Sequence, residues 1–312
     1  MPSVVTVTLN PALDLTVEVD ELVAYRKLRG RLVALDPGGG GVNVARVLRR
    51  FDMPVVAVAA LGGTSGQALL AELEREGVSV RAVAADVATR RSMTLWVSAT
   101  REHFRILVEG DPLAERAWRA CLDAVGELDR PEFVVLSGAM PPSVPADAVT
   151  AFAEGAGALG SRFVCDTSGP ALAAAVAAGA ELVKPSVREL HNLVGAGESL
   201  SDFDYQEGAR RAVALGARAV VVSLGADGAF LAAADGTEAE FPSPPVEVLS
   251  SVGAGDSMVA GILLGLLRGR SLPAAVRLGV AAGTATCMQH GTEVCAPDDV
   301  ERLDAELARQ GY

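Results

Sequence analysis

The sequence predicts an α/β protein: a mostly parallel sheet with helices on both faces, and a small second sheet beside it. Two observations carry this. Short β-rich runs (VVAVAAL from Val55, FVVLSG from Phe133, RFVCDTS from Arg162, ELVKPS from Glu181, AVVVSLG from Ala219) alternate with stretches of helical period such as Ser65–Glu76 and Gln206–Leu215. Strands that are apolar throughout belong in sheets buried on both faces. The second observation concerns segments 13–36 and 91–109, which hold strand patterns with no helix between them. In DLTVEVDEL, RGRLVALD, SMTLWVSAT and HFRILVEG apolar residues alternate with polar ones, as in antiparallel strands with one wet face. The two segments are therefore expected to form one small sheet, a lid or a dimerisation surface.

The totals bound the rest. A chain of 312 residues can form one large α/β domain or two smaller ones. Half of it is hydrophobic, yet the longest apolar run, Met258 to Leu267, is much shorter than the ~20 residues of a membrane span. MPSVVTVTLN shows neither a basic n-region nor a cleavage pattern, so no signal peptide is expected and the location expected is cytoplasmic. A net charge of −12 argues against a nucleic-acid surface. It also means that an anionic substrate must be met by local cations. Cys121, Cys165, Cys287 and Cys295 form no CxxC pair, and His103, His191 and His290 form no HExxH, so buried reduced thiols are expected. Of the 27 basic residues only Lys27 and Lys184 are lysines.

Ligands of parallel sheets bind beyond the carboxyl ends of the strands. Here those ends read Ser137-Gly138, Asp166-Thr167-Ser168, Lys184-Pro185-Ser186 and Ser223-Leu224-Gly225. Further along, Gly253-Ala254-Gly255-Asp256 precedes a helix expected over Ser257–Leu267. A glycine-rich turn at a helix N-terminus offers free N–H groups and the positive end of the dipole, which together make an anion site. Asp256 then has two possible roles. It could cap the first turn, or it could act as a general base toward a hydroxyl attacking a bound phosphorus. The motif alone does not choose. The run Pro37-Gly38-Gly39-Gly40-Gly41-Val42-Asn43 lacks the spacing of a dinucleotide fingerprint. It reads either as a flexible turn or as backbone wrapped around a polyhydroxy ligand. No Walker A, HRD or DFG sequence is present.

Taken in order, Asn10-Pro11-Ala12-Leu13-Asp14, GGGGVNVA, KPSVREL and SVGAGDSMVAG resemble the PfkB (ribokinase-like) carbohydrate kinases. The resemblance spans the whole chain. It is nearest the phosphofructokinase, 1-phosphofructokinase and tagatose-6-phosphate kinase branch. Lys27-Leu28-Arg29, the four glycines and Gly279-Val280-Ala281-Ala282-Gly283 look most like the minor bacterial 6-phosphofructokinases. It implies one ribokinase-like domain over residues 1–312, a three-layer α/β/α architecture with a β-sheet lid, and ATP-dependent phosphorylation of a sugar phosphate, fructose 6-phosphate foremost. A nucleotide binder of another class, non-catalytic or oxidoreductase, is disfavoured by the intact acid of GAGD.

By resemblance, Asp256 is the base, the N–H groups of Ala254, Gly255 and Asp256 stabilise charge on the transferring phosphoryl group, and Gly253 belongs to the same catalytic turn. Asp14, Gly38, Gly39, Gly40 and Asn43 hold sugar hydroxyls. Lys27, reaching in from a partner subunit through the lid, and Arg90 meet the substrate phosphate. Lys184, Ser186, Glu189, Ser223, Gly225, Gly228, Val280 and Thr284 flank ATP and its Mg²⁺. Backbone carbonyls near Ser250, Val252, Thr286, Gln289 and Gly291 match a monovalent-cation site for K⁺. A homodimer through the lid is expected, with no nucleic-acid or membrane partner. Ser186 stands where the family's NxxE motif has Asn, Ala139 where relatives often carry Ser, and Val108-Glu109-Gly110 where Glu-Pro-Gly is usual.

Overall fold

The computed structural model describes residues 2–195, 197 and 199–312. The chain starts with β1 (Val4–Thr8), β2 (Ala12–Val19) and β3 (Arg31–Gly38), then α1 (Gly40–Arg50), β4 (Val55–Leu61), α2 (Gly63–Arg75) and β5 (Ser79–Ala84). Next come β6 (Arg90–Val97), β7 (Glu102–Ile106), α3 (Glu115–Gly126), β8 (Phe133–Ser137), α4 (Asp147–Ala158), β9 (Arg162–Asp166) and α5 (Gly169–Ala177). They are followed by β10 (Leu182–Val183), α6 (Val187–Val194), α7 (Tyr205–Ala214), β11 (Ala219–Ser223), β12 (Ala229–Ala233) and β13 (Glu238–Phe241). Three helices close the chain, α8 (Ala254–Leu267), α9 (Leu272–Cys287) and α10 (Pro297–Arg309).

The main sheet has nine strands in the order β13-β12-β11-β10-β9-β8-β1-β4-β5. It is parallel from β5 to β11, and β12 and β13 run antiparallel to their neighbours. Successive side chains of a strand point to opposite faces, so Val4 joins one core while Val5 and Val7 join the other. The first core is closed by α1, α2, α8, α9 and α10, the second by α3 to α7. A three-layer α/β/α architecture results.

Within the first layer, α8 and α9 approach unusually closely because small residues face each other. A Cβ on Gly261 would lie 2.8 Å from the Gly279 Cα, and one on Gly265 2.7 Å from the Ala275 Cα. Such packing leaves α8 little freedom to shift along its axis.

The two alternating segments do pair with each other, in a four-stranded sheet of order β3-β2-β6-β7. One expectation needs correction. The pairs β2–β3 and β6–β7 are antiparallel, but β2 and β6 are parallel, in register from Ala12↔Arg90 to Val19↔Val97. The cause is topological: β2 follows β1 and β6 follows β5, parallel strands of one sheet, so both leave its carboxyl end in the same direction. The chain between them, α1 to β5, is the crossover that parallel pairing requires. Among the described residues no helix is long and apolar enough to cross a membrane.

Candidate active site

The helix bearing Asp256 starts at Ala254, three residues earlier than expected, so the acid lies inside its first turn. Gly253 takes the N-cap position with φ 78°, a left-handed conformation suited to glycine. With the cap occupied by a residue lacking a side chain, Asp256 is free for another partner. Its Oδ2 accepts a hydrogen bond of 2.8 Å from Asn43 Nδ2 on α1. The capping role therefore falls away. Among the described residues the Ala254 N–H reaches only Ser251 O, at 3.4 Å, and those of Gly255 and Asp256 have no backbone acceptor. These are the donors that a bound anion would take up.

Two strand ends complete the charge arrangement. Lys184, just beyond β10, is buried, and its Nζ lies 3.3 Å from Asp166 Oδ1 at the end of β9. The same Nζ rests against the glycine turn, 3.1 Å from where a Cβ of Gly255 would be. Burial disfavours the Lys184 ammonium, but the carboxylates of Asp166 and Asp256 outweigh it and its pKa is raised. Asp256 moves in the useful direction for a base. Burial first and the charge of Asp166 second push its pKa up to about 7, against the opposing pull of Asn43, Lys184 and Arg105.

On the neighbouring side stands Asp14 of β2, only 7% exposed. Its Oδ1 has no protein partner among the described residues. Burial raises its pKa, while Arg105 and Arg90 act in the opposite direction. Gly38 exists for this carboxylate, since a Cβ there would lie 2.3 Å from Asp14 Oδ2. Ser137 Oγ and Thr8 Oγ1 are likewise buried and unpartnered. An acid and hydroxyls with spare hydrogen-bonding capacity, beside backbone without side chains, form a donor and acceptor set fit for a polyhydroxy ligand.

The glycine run has a further reason. A Cβ on Gly40 would meet Ser137 Oγ at 2.3 Å, and one on Gly41 would meet Thr8 Oγ1 at 2.6 Å. The backbone thus rests directly on the ends of β1 and β8, which is neither a flexible turn nor, at Gly40, a wrapping around ligand.

The remaining expected residues divide. Ser223 N–H bonds Pro185 O at 2.9 Å, which ties the β11 end to Lys184-Pro185-Ser186. Gly225 and Gly228 have φ of 64° and 101°, and a Cβ on Gly228 would lie 1.9 Å from Phe241 O. Thr284 Oγ1 pairs with Ser243 Oγ at 2.8 Å. Neighbouring Gly283 brings α9 beside Ala254 O, 3.0 Å from its missing Cβ. Val280 is packed into the core and presents nothing to a ligand. Ser186 and Glu189 form a reciprocal capping box on α6, with Ser186 N–H and Oγ both donating to Glu189 Oε2, at 2.8 and 2.9 Å. A serine in place of the family's Asn is therefore a helix cap, and one oxygen of Glu189 is engaged by it.

Arg90 is held by backbone, donating to Val108 O at 3.0 Å and Asn10 O at 3.3 Å. Lys27 lies on the exposed loop between β2 and β3 and joins none of these contacts within the protomer. The two cation-site segments converge, with Ser250 Oγ donating to Gly291 O at 2.7 Å and Ser250 N–H to Cys287 O at 3.2 Å. Gln289 N–H bonds Thr286 O at 3.0 Å. Cys287 O is taken up by the N–H groups of Leu249 and Ser250, whereas Gly291 O and Thr286 O lie in these converging segments, which fits a monovalent cation held by backbone oxygens. No three acid, His or Cys side chains cluster for a metal among the described residues.

Two residues escaped the sequence reading. Asp166 stood at a strand end without a role, and Arg105 of β7 was unnoticed within an alternating strand. Arg105 lies close enough to draw on both Asp14 and Asp256.

The family model for pfkB carbohydrate kinases matches residues 7–299. The chain belongs to the PfkB family of carbohydrate kinases. It is 40% identical over 311 residues to the ATP-dependent 6-phosphofructokinase isozyme 2 of Mycobacterium tuberculosis, covering 99% of this chain and 91% of that one. Phosphofructokinase-2 from Escherichia coli, solved with potassium, superposes with a TM-score of 0.93 at 37% identity, covering 99% of this chain and 100% of the other. The same enzyme in complex with fructose-6-phosphate gives 0.90 at 36% identity and the same coverage. As a PfkB kinase the protein is an ATP-dependent phosphotransferase acting on a hydroxyl, with a ribokinase-like fold. The oxidoreductase and non-catalytic alternatives are set aside by that membership.

Proposed function

We propose that the protein transfers the γ-phosphoryl group of ATP to the primary hydroxyl of fructose 6-phosphate, giving fructose 1,6-bisphosphate. The observation that carries this reading is the placement of Asp256. It sits in the same helical turn that offers free N–H groups, with a pKa raised to about 7. A carboxylate of that basicity, fixed beside an anion site, accepts a hydroxyl proton near neutral pH as the oxygen attacks phosphorus in line. The proton moves to Asp256, the P–O bond to ADP breaks, and the N–H groups of Ala254, Gly255 and Asp256, after Gly253, stabilise charge on the phosphoryl group.

Asp14, Gly38, Gly39 and Asn43 orient the sugar. Arg90 and Arg105, with Lys27 of the partner subunit, meet its phosphate, supplying the local cations that a chain of net charge −12 requires. Lys184 neutralises the nucleotide phosphates, with Ser223, Gly225, Gly228 and Thr284 along the nucleotide. Glu189, whose second carboxylate oxygen lies outside the capping box, would help hold Mg²⁺ on the ATP phosphates, and that ion would offset charge during transfer. The carbonyls near Ser250, Val252, Thr286, Gln289 and Gly291 would hold K⁺, which would steady the turn that leads into α8.

The small sheet acts as a lid and as the surface of a homodimer. Leu32 and Val33 on β3 and Phe104 and Ile106 on β7 are exposed apolar residues on its outer strands, which supports this role. The location fitting this reading is the cytoplasm, where ATP and sugar phosphates are found.

An ADP-release assay against fructose 6-phosphate, fructose 1-phosphate, tagatose 6-phosphate and free sugars tests the reading. Fructose 6-phosphate should give the highest kcat/KM. A preference for fructose 1-phosphate or tagatose 6-phosphate would reassign the substrate within the class, and a preference for free sugars would remove the phosphate site.

A further inference from the structure

We propose that Arg46 is a positioning residue for the reaction, acting through Asn43 to orient the donor that holds Asp256. Among the described residues Arg46 is the largest fully buried side chain, 2% exposed, and it lies one helical turn after Asn43 on α1. A buried guanidinium needs every donor matched. Its Nε and Nη2 form a two-pronged pair with Glu76 Oε2 and Oε1, at 2.7 and 2.8 Å, and Asp36 stands at 4.0 Å. Its Nη1 faces the site and donates to Pro37 O at 2.9 Å, Thr292 O at 3.2 Å and Asn43 Oδ1 at 3.3 Å.

The last contact decides the orientation of an amide. Asn43 Oδ1 accepts from Arg46, so Nδ2 must point the other way, where it donates to Asp256 at 2.8 Å. A flipped amide would set its two N–H groups against the guanidinium and its oxygen against the carboxylate. Both contacts would be repulsive, which makes the relay self-consistent in one sense only. The same Nη1 clamps the carbonyl before the glycine run and the loop after α9. One cation thus holds the base, the sugar-side backbone and the loop beside the carbonyl cluster in one frame. Charged groups facing Asp256 from other elements are Asp166 of β9, Lys184 beyond β10 and Arg105 of β7, and none of them touches Arg46.

Lysine keeps the charge of Arg46 but has a single nitrogen without the planar fork, so it cannot serve Glu76 and all three Nη1 acceptors together. This inference rests on the reading of Asp256 as the base. Its test is a double-mutant cycle on kcat with ATP and fructose 6-phosphate, using wild type, Arg46→Lys, Asn43→Ser and the double variant. Arg46→Lys should lower kcat about tenfold when Asn43 is present, one hydrogen bond's worth of orientation. It should have almost no further effect when Asn43 is already serine, and KM for ATP should stay constant. Equal fold losses in both backgrounds, or an unchanged kcat in Arg46→Lys alone, overturns the proposal. Glu76→Gln separates the merely structural part. It weakens the buried ion pair and should lower Tm while leaving kcat within about twofold, because Nη1 keeps its acceptors. A kcat loss in Glu76→Gln as deep as that in Arg46→Lys also overturns the proposal. Asp256→Asn in the same assay keeps the underlying reading separate, since near-normal turnover there removes the base whatever the cycle shows.

Discussion

Lys184 Nζ lies 3.3 Å from Asp166 Oδ1, and the pair is enclosed where two parallel strands end beneath the first turn of α8. The ammonium lowers the proton affinity of Asp256, and Asp166 raises it. Lys184→Met leaves the Asp166 carboxylate buried and alone. Stability should fall by about 3–5 kcal/mol, the cost typical of breaking a buried pair from one side. The KM for ATP should rise, and the acid limb of the pH–rate profile should move upward because Asp256 loses a stabilising charge. Denaturant titration and steady-state kinetics check the two halves separately.

The pH dependence follows from Asp256 itself. A base must be deprotonated to work, and burial lifts this one to about 7. The kcat/KM should therefore rise through neutrality and fall tenfold per unit below about 7. Asp256→Asn should lose about 10²–10⁴ in kcat.

The same shift carries a stability cost of opposite sense. A carboxyl group whose pKa is raised by folding favours the native state while protonated. That advantage is lost as pH rises through about 7. Asp256→Asn should consequently melt higher than wild type at pH 8, with the gain shrinking toward pH 4, near the ordinary carboxylate value. Calorimetry at both pH values decides this, and a lower melting temperature for the variant at pH 8 would contradict it.

Asp14 presents a similar trade. Its buried carboxylate has an oxygen without a partner, which a ligand hydroxyl can satisfy. Asp14→Asn should leave the unliganded protein as stable as wild type or more so at pH 8. Its KM for the sugar phosphate should rise at least about tenfold, one hydrogen bond to a charged group being worth 1.5–3 kcal/mol. Gly38→Ala should weaken sugar binding too, because its Cβ displaces Asp14 from 2.3 Å away. Neither change should alter KM for ATP.

The outer strands of the small sheet offer a test of assembly. Phe104→Glu and Leu32→Glu place a charge on exposed apolar positions where the monomer gains nothing from them. Sedimentation velocity should show the wild type as a dimer and the double variant as a monomer with a raised KM for sugar phosphate, since Lys27 of the partner subunit is withdrawn. A wild type that sediments as a monomer removes that role for Lys27.

How much of this was legible beforehand depended on the range of the interaction. The α/β class showed in period and composition because burial on both faces excludes polar residues from a strand, as in VVAVAAL. Gly253–Asp256 showed because a helix start beside a glycine turn is a local signal. The parallel pairing of β2 with β6 did not show, since alternation marks a wet face but says nothing of strand direction. Arg105 and Asp166 were missed for a related reason. Both act on Asp256, more than 80 positions away in sequence, and an arginine on an alternating strand looks like any solvated one. Ser186 was expected beside ATP and its Mg²⁺ in place of the family's Asn, and its Ser–x–x–Glu spacing also carried a local signal, that of a capping box, which went unread.

The central place of β1 has a consequence for how the molecule is made. Its residues pair on one side with β4 and on the other with β8, Val4 facing Val55 and Phe133. During synthesis β1 therefore waits, one edge unpaired, until the β8 segment has left the ribosome. Asp256 and its turn follow later still, so the glycine run exists for some time with neither the strand end it rests on nor the acid that Asn43 holds. Folding governed by such distant pairings is slow and exposes strand edges. A nascent chain arrested between β4 and β8 should engage chaperones, and one released after α9 should not.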